Sequence, residues 1–289
     1  MISTHSFDIS SYSSSLSLKK NRIYYADSSE SISYPDDGND NCFEIEDNSF
    51  WFRHRNNCII EMIKNYPSPI RSPIFDVGGG NGFVSKGLLD AGFDVVHVEP
   101  GHDGAMNAKK RGITHVICGT THTAKLKPDT IPAIGVFDVV EHIEDDIEFL
   151  NHLWELLIPG GMLYLTVPAY QLLWSNDDID AGHFRRYNLN NIEKTISSAG
   201  FKISYSTYIF IFLPVLVFLC RTLRFRLKLY NRSKKNNVRR KNNHILPTGI
   251  SGKLINSILS WELKRMKRNE KIYFGGSCMV AAQKPLNFF

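Results

Sequence analysis

An α/β fold, a mostly parallel sheet with helices on both faces, is what this 289-residue sequence predicts. Three observations carry the expectation. Short apolar runs of strand length alternate with stretches of helical period between residues 73 and 208. Strands separated by helices form right-handed βαβ units, which lay the strands parallel. A glycine run, Gly78-Gly79-Gly80-Asn81-Gly82, lies between the first of these strands and the helix that follows it, the corner at which open α/β sheets hold ligands.

The elements follow in order. Residues 1–33 contain twelve serines and little apolar periodicity. Burial there would not offset the entropy of ordering, so residues 1–42 read as a mobile tail. The core with its N-terminal helix is expected over residues 43–208. Phe50-Trp51-Phe52 through Met62-Ile63 is spaced near the helical period, and Pro67 ends that helix. Strands are expected at 73–77, 94–98, 115–118, 131–137, 162–167 and 201–208. Helices are expected at 83–90, 106–111, 145–157 and 190–199, each stopped by glycine or by Pro159-Gly160. A seventh strand, residues 277–282, belongs to a closing segment 271–289. Residues 209–270 then form an insertion before the last strand.

The composition is consistent with one elaborated domain. An apolar fraction of 43% excludes wholesale disorder. Five scattered cysteines without a C-x-x-C pair argue against a disulfide framework or a zinc site of that kind, and fit a reducing cytoplasm. No basic stretch followed by an apolar one opens the sequence, so a secretory signal is not expected.

The net charge of +5 conceals a division. Residues 1–207 carry 17 cations and 27 anions (−10), and residues 208–289 carry 17 cations and only Glu262 and Glu270 (+15). Residues 208–220 are uncharged; at 13 residues they fall short of the roughly 18 a spanning helix needs, and Pro214 adds an expected break. Ten cations without an acid follow between Arg221 and Lys241. Apolar sequence bordered by cations reads as a segment lying on an anionic membrane surface, the expected partner of residues 208–241. Residues 223–229 alternate strictly, which also admits a strand. Residues 253–268 return to helical spacing, with Glu262 inside the apolar arc and therefore in need of a partner if buried.

The most specific signal is Asp76-Val77-Gly78-Gly79-Gly80-Asn81-Gly82, with Glu99 at the end of the next strand. Glycines at alternate positions let the backbone turn and a ligand approach closely, and a carboxylate at Glu99 can accept two hydrogen bonds from a ribose diol. With Phe137-Asp138-Val139-Val140-Glu141-His142-Ile143-Glu144-Asp145 and Leu157-Ile158-Pro159-Gly160-Gly161, this pattern resembles class I S-adenosylmethionine-dependent methyltransferases over residues 46–207 and 277–284. Trp174-Ser175 and Gly182-His183-Phe184-Arg185-Arg186-Tyr187 look like a bacterial type 11/12-like subgroup linked to surface-glycan or lipid-linked pathways.

The resemblance implies a Rossmann-like, seven-stranded sheet and S-adenosylmethionine as cofactor. It also implies residue roles. Asp76 and the glycines Gly78, Gly79, Gly80 and Gly82 would hold the methionine end, Glu99 the ribose, and Pro100 would lie beside the adenine. Thr120 stands where the family often has an acid that accepts from the adenine amino group, a departure from the pattern. Phe137 and Asp138 would sit beside the methyl donor, and Arg55 would pair with the cofactor carboxylate.

Transfer to a hydroxyl needs a base near the methyl group. The candidates are His183, His142 and Glu141, with Asp138, Glu141 and His142 expected on the first turn of one helix. The D-x-x-E-H spacing resembles an E-x-x-E-H that holds a divalent metal in some methyltransferases. Helix capping by Asp138 accounts for it equally, and no metal is expected. Arg185, Arg186 and Tyr187 are substrate-binding candidates, an ion pair of Arg186 with a nearby aspartate being the structural alternative. The expected function is O-methylation of a lipid-linked, glycan or other membrane-delivered acceptor by a cytoplasmic enzyme, peripheral on the inner face of the membrane. An RNA acceptor recruited by residues 221–241 and a non-catalytic scaffold are the alternatives, nucleic acid ranking behind the membrane because the cations adjoin aliphatic sequence.

Overall fold

The computed structural model describes residues 8–28, 43, 45–70, 73–227 and 249–286. Its first described segment, residues 8–28, is ordered where a mobile tail was expected; the rest of the tail, residues 1–7 and 29–42, lies outside the described residues. Strand β1 (Ser17–Leu18) pairs antiparallel with β2 (Tyr24–Tyr25), and β2 pairs parallel with β5 (His115–Cys118). Ile23 between them is fully buried against Ala105, Ala108, Ile113 and Val116. The hairpin is held by backbone pairing, which needs no side-chain periodicity.

The sheet has nine strands among the described residues rather than seven, in the order β1-β2-β5-β4-β3-β6-β7-β9-β8. At its centre are β3 (Ile74–Val77), β4 (Val95–Glu99), β6 (Ile131–Phe137) and β7 (Leu157–Pro168), which together with β5 run parallel. Strand β8 (Lys202–Ile209) lies at the far edge. The last strand in chain order, β9 (Ser277–Gln283), is inserted antiparallel between β7 and β8. Strand β7 starts at Leu157, earlier than expected, because Gly160 and Gly161 exchange backbone hydrogen bonds with Lys284 instead of ending the strand.

Among the described helices, four start where a side chain takes up free amides. Ser49 caps α1 (Phe50–Asn65) by accepting from Phe52 N, and left-handed Gly82 leads into α2 (Phe83–Asp90). Helix α3 (His102–Lys110) begins four residues before the expected start, over a polar first turn. Asp145 caps α4 (Asp146–Leu156), a capping box of Ser175 with Asp178 opens α5 (Asn176–Ala181), and Asn188 caps α6 (Leu189–Ser198). Apolar layers cover both sheet faces. Leu150, Leu153, Ile192 and Ile196 pack on one side with Val96, Ile134 and Leu163, and Ile59, Met62 and Leu88 on the other with Val95, Tyr164 and Met279.

After β8 come α7 (Leu213–Val217), a π turn (Phe218–Thr222), α8 (Leu223–Arg226) and α9 (Ile250–Lys267). Pro214 sits in the first turn of α7, where its missing amide costs nothing, so it starts that helix rather than breaking it. The alternating residues 223–226 are helical, not a strand. Basic residues Lys228 to Lys241 lie outside the described residues. Glu262 on α9 is fully buried, and His54 Nε2 lies 2.9 Å from its carboxylate. The same carboxylate accepts from the backbone amides of Phe210 and Ile211, so one side chain fastens α9 to α1 and to the end of β8.

Candidate active site

Beyond the C-terminal ends of β3, β4 and β6 lies a cavity of about 1030 Å³. The loop after β3 forms one wall. Gly80 has φ +56°, a conformation that favours glycine, and its amide donates to Glu99 Oε2 at 2.8 Å. Gly101 N donates to the other oxygen, Oε1, also at 2.8 Å. Glu99 is thereby fixed on the cavity wall. Gly78, Gly79, Pro100, Thr120 and Phe137 line the same space. The Thr120 hydroxyl accepts from Thr123 N at 3.0 Å, closing a small turn.

Asp76 reaches the cavity wall, but its side chain is nearly all buried and accepts from the Ser85 hydroxyl at 2.6 Å. Burial raises its pKa from 3.8 to about 6, against the opposing hydrogen bond from Ser85. Behind it His97 is fully buried, which lowers its pKa to about 4. Gly82 does not line the cavity. A Cβ there would come within 2.5 Å of Ile113 and 2.9 Å of Ala108, so this glycine permits the start of α2 to pack against α3.

Asp138 also differs from expectation. It is not in a helix with Glu141 and His142; its φ is +58°, and Val140–His142 form a separate 3-10 turn well before α4. Its carboxylate pairs with Arg55 and accepts from the Thr166 hydroxyl at 2.9 Å. The Arg55 guanidinium in turn lies 4.6 Å from the Trp51 ring centroid. Arg55 and Asp138 thus bridge α1 and the end of β6 across the cavity wall.

Three of the expected catalytic side chains meet. The ligating atoms of Glu141, His142 and His183 all lie within 4.8 Å of one another, and the two imidazole rings stand edge to face at 4.7 Å. Glu141 is 1% exposed and burial pushes its pKa up to about 8. Burial, with His183 adding to it, lowers that of His142 to about 4. His183 Nδ1 lies 3.0 Å from Asp178 Oδ1. Burial opposes ionisation of Asp178, but hydrogen bonds from His183 and Arg186 outweigh it and hold the group down to about 2.

Two of the substrate-binding candidates are structural. Arg185 pairs with Asp146 at 2.9 Å, the Tyr187 hydroxyl donates to the same carboxylate at 2.7 Å, and neither lines the cavity. Arg186 does line it, but its Nε is 2.6 Å from Asp178 Oδ1, the ion pair posed as the alternative. Asp178 is one of the aspartates the sequence offered to Arg186; its second role, closing a capping box with Ser175, was not read, although Ser175-x-x-Asp178 has that spacing. Sequence reasoning also missed the apolar wall made by Phe50, Leu173, Phe184, Leu213 and Val217, whose residues come from four separate segments.

A family described as a methyltransferase domain matches residues 52–205, more than half of the chain. Human mitochondrial ubiquinone biosynthesis O-methyltransferase is 28% identical over 102 residues, 32% of this chain and 28% of that protein. The ubiquinone biosynthesis O-methyltransferase of Hydrogenovibrio crunogenus is 25% identical over 129 residues, covering 42% and 53%. The chain thus spans between about a quarter and a half of the length of these curated relatives. Among solved structures, Haemonchus contortus phosphoethanolamine N-methyltransferase 2 in complex with S-adenosyl-L-methionine superposes with a TM-score of 0.54 at 17% identity, over 88% of this chain and 58% of that one.

Proposed function

Because the chain belongs to the methyltransferase domain family, we propose that it methylates an oxygen of a lipid-linked, glycan or other membrane-delivered acceptor. S-adenosylmethionine is the methyl donor, and when bound it supplies a sulfonium methyl group open to in-line displacement. The residues present fit that cofactor. The observation that carries the reading is Glu99, held by two backbone amides beside a glycine loop that leaves the cavity wall without side chains. A carboxylate fixed at that strand end suits a ribose diol. Arg55, on the other side, carries a guanidinium that matches a carboxylate, with Asp138 holding it in place.

The rest of the cavity supports the acceptor class. Phe50, Trp51, Leu173, Leu213 and Val217 form an apolar wall suited to the body of an amphipathic molecule. Glu141, His142 and His183 stand beyond the end of β6, where they would receive the reacting hydroxyl and its proton. Holding the two reactants within about 3–3.5 Å and in line is the main source of acceleration available to this site.

Calorimetric titration with S-adenosylhomocysteine tests the cofactor. The wild type is expected to bind and Gly80→Val to lose binding; a wild type that does not bind, or equal binding by both, overturns the reading. Labelled-methyl incorporation into a cell extract tests the acceptor. The label is expected in an organic-soluble product that survives nuclease digestion, and label in RNA would replace this acceptor class.

A further inference from the structure

We propose that His97 is a positioning residue for the methyl donor: it holds the Gly80 carbonyl from beneath and so fixes the glycine loop in the shape that receives S-adenosylmethionine. The inference rests on the cofactor reading above. His97 is the middle residue of β4, in register with Asp76 on β3, and is fully buried. Its Nε2 stands 3.2 Å from Gly80 O. Glu99, two residues along the same strand, projects to the same face of the sheet and accepts from Gly80 N at 2.8 Å. One strand thus takes Gly80 by both of its backbone polar groups. Glycine populates many conformations, so a loop turning at a φ of +56° keeps one shape only where its neighbours hold it.

Gly79 reflects the same arrangement. It is not among the glycines at positive φ, so the turn itself does not demand glycine there. A Cβ at this position would come within 2.4 Å of the His97 ring and 2.9 Å of Asp76 Oδ2. The imidazole fills the space under the loop, and the middle glycine of Gly78-Gly79-Gly80 makes room for it.

The hydrogens available set the direction of each contact. A carbonyl oxygen only accepts, so the His97 hydrogen belongs on Nε2. Nδ1 then carries a lone pair, and it faces Ser85 Oγ at 3.0 Å. Ser85 Oγ is also 2.6 Å from Asp76 Oδ2 and has a single hydrogen to give. Asp76, Ser85 and His97 are each no more than 1% exposed, so the three side chains must satisfy one another. All the contacts are filled when a protonated Asp76 donates to Ser85, Ser85 donates to Nδ1, and Nε2 donates to Gly80 O. Burial favours that state by opposing the charged forms of Asp76 and His97, while Arg55 on α1 pulls Asp76 toward ionisation. Once Asp76 ionises, the Ser85 hydrogen turns to the carboxylate, and Gly80 O still requires the hydrogen on Nε2. His97 does not line the cavity, so it acts on the cofactor only through Gly80.

The test compares two substitutions by calorimetric titration with S-adenosylhomocysteine. His97→Gln keeps an amide N–H at the reach of Nε2. His97→Asn is one carbon shorter, matches Nδ1 and leaves Gly80 O without a donor. Both should lower the urea midpoint to a similar degree, because both disturb the buried chain. Affinity should separate them, with His97→Asn binding about tenfold more weakly than His97→Gln, or worse. Hydrogen exchange over residues 77–83 of the cofactor-free protein should quicken in His97→Asn and not in His97→Gln. A smaller gap in affinity would make His97 a packing residue and overturn the proposal. If either variant fails to fold, the wild type decides. Nitrogen NMR of histidine-labelled protein at about pH 5, between the values at which His97 and Asp76 titrate, should show the His97 hydrogen on Nε2. A bare Nε2 refutes the contact. A wild type that does not bind S-adenosylhomocysteine overturns the cofactor reading instead, and the NMR measurement still reads the contact without any cofactor.

Discussion

Asp76 and His97 stand 4.0 Å apart in a compartment closed to water, with Ser85 between them. Each resists its charged form, and their effects on stability run in opposite directions. Asp76 has a folded pKa raised from 3.8 to about 6, so its contribution is full below 3.8 and is lost as pH rises through 6. The loss is about 3 kcal/mol at most. His97 has a folded pKa lowered from 6.5 to about 4, so its contribution is present above 6.5 and is lost as pH falls through 4. Asp76→Asn removes the first effect and keeps the shape. Urea unfolding between about pH 4 and pH 7 should show the variant gaining on the wild type as pH rises. A difference that stays flat across that interval would refute the assignment. Glu262 is a residue of another kind, because it fills two backbone amides as well as facing His54. Glu262→Leu should therefore cost about 3–5 kcal/mol in the same assay, since it leaves buried donors without an acceptor; a change below about 1 kcal/mol would mean the junction is not formed in solution.

Among the elements, the N-terminal hairpin carries the clearest expectation. Ile23 is fully buried under the sheet edge. Ile23→Ala should cost about 2–5 kcal/mol by urea unfolding, and a cost near zero would return residues 8–28 to a loose tail. That hairpin was invisible in the sequence for a physical reason: β1 and β2 are two residues long and pair through the backbone, too short to write an apolar alternation. Longer elements were legible because apolar burial writes a period into them, as in α1, β3 and β6. The glycine loop and Glu99 were legible too, since a tight turn before a helix restricts the residue types that serve. The turn carrying Glu141 and His142 was misread as a first helical turn. Asp138, at positive φ, separates it from the strand, and nothing local announces that conformation.

At the scale of the molecule, the appendage carries a group of exposed apolar side chains. Val215, Leu216 and Leu219 are each about half exposed, as is Leu227. On α9 Ile250 is 88% exposed and Leu254 60%. Both groups flank residues 228–248, which hold most of the cations between Arg221 and Lys241. No helix among the described residues is long and apolar enough to cross a membrane. Under the proposed membrane-delivered acceptor, shallow attachment to an anionic surface would use both features. The full chain should co-sediment with phosphatidylglycerol vesicles and release in high salt. Leu216→Glu with Leu219→Glu should reduce retention at least tenfold without altering S-adenosylhomocysteine binding. Undiminished retention of that double variant would remove the appendage from the contact.

The position of β9 also bears on how the protein is made. It is the last strand in chain order, yet it lies between β7 and β8, and the cavity wall includes Gly276 and Ser277 beside it. During synthesis from the N-terminus, β7 and β8 emerge with a gap between them, and the appendage must be translated before that gap is filled. Until then two strand edges stay open and the cavity lacks a wall. The nascent chain therefore cannot complete the cavity until its last strand has been made, and termination anywhere between β8 and β9 yields a sheet with an unfilled slot rather than a smaller complete one.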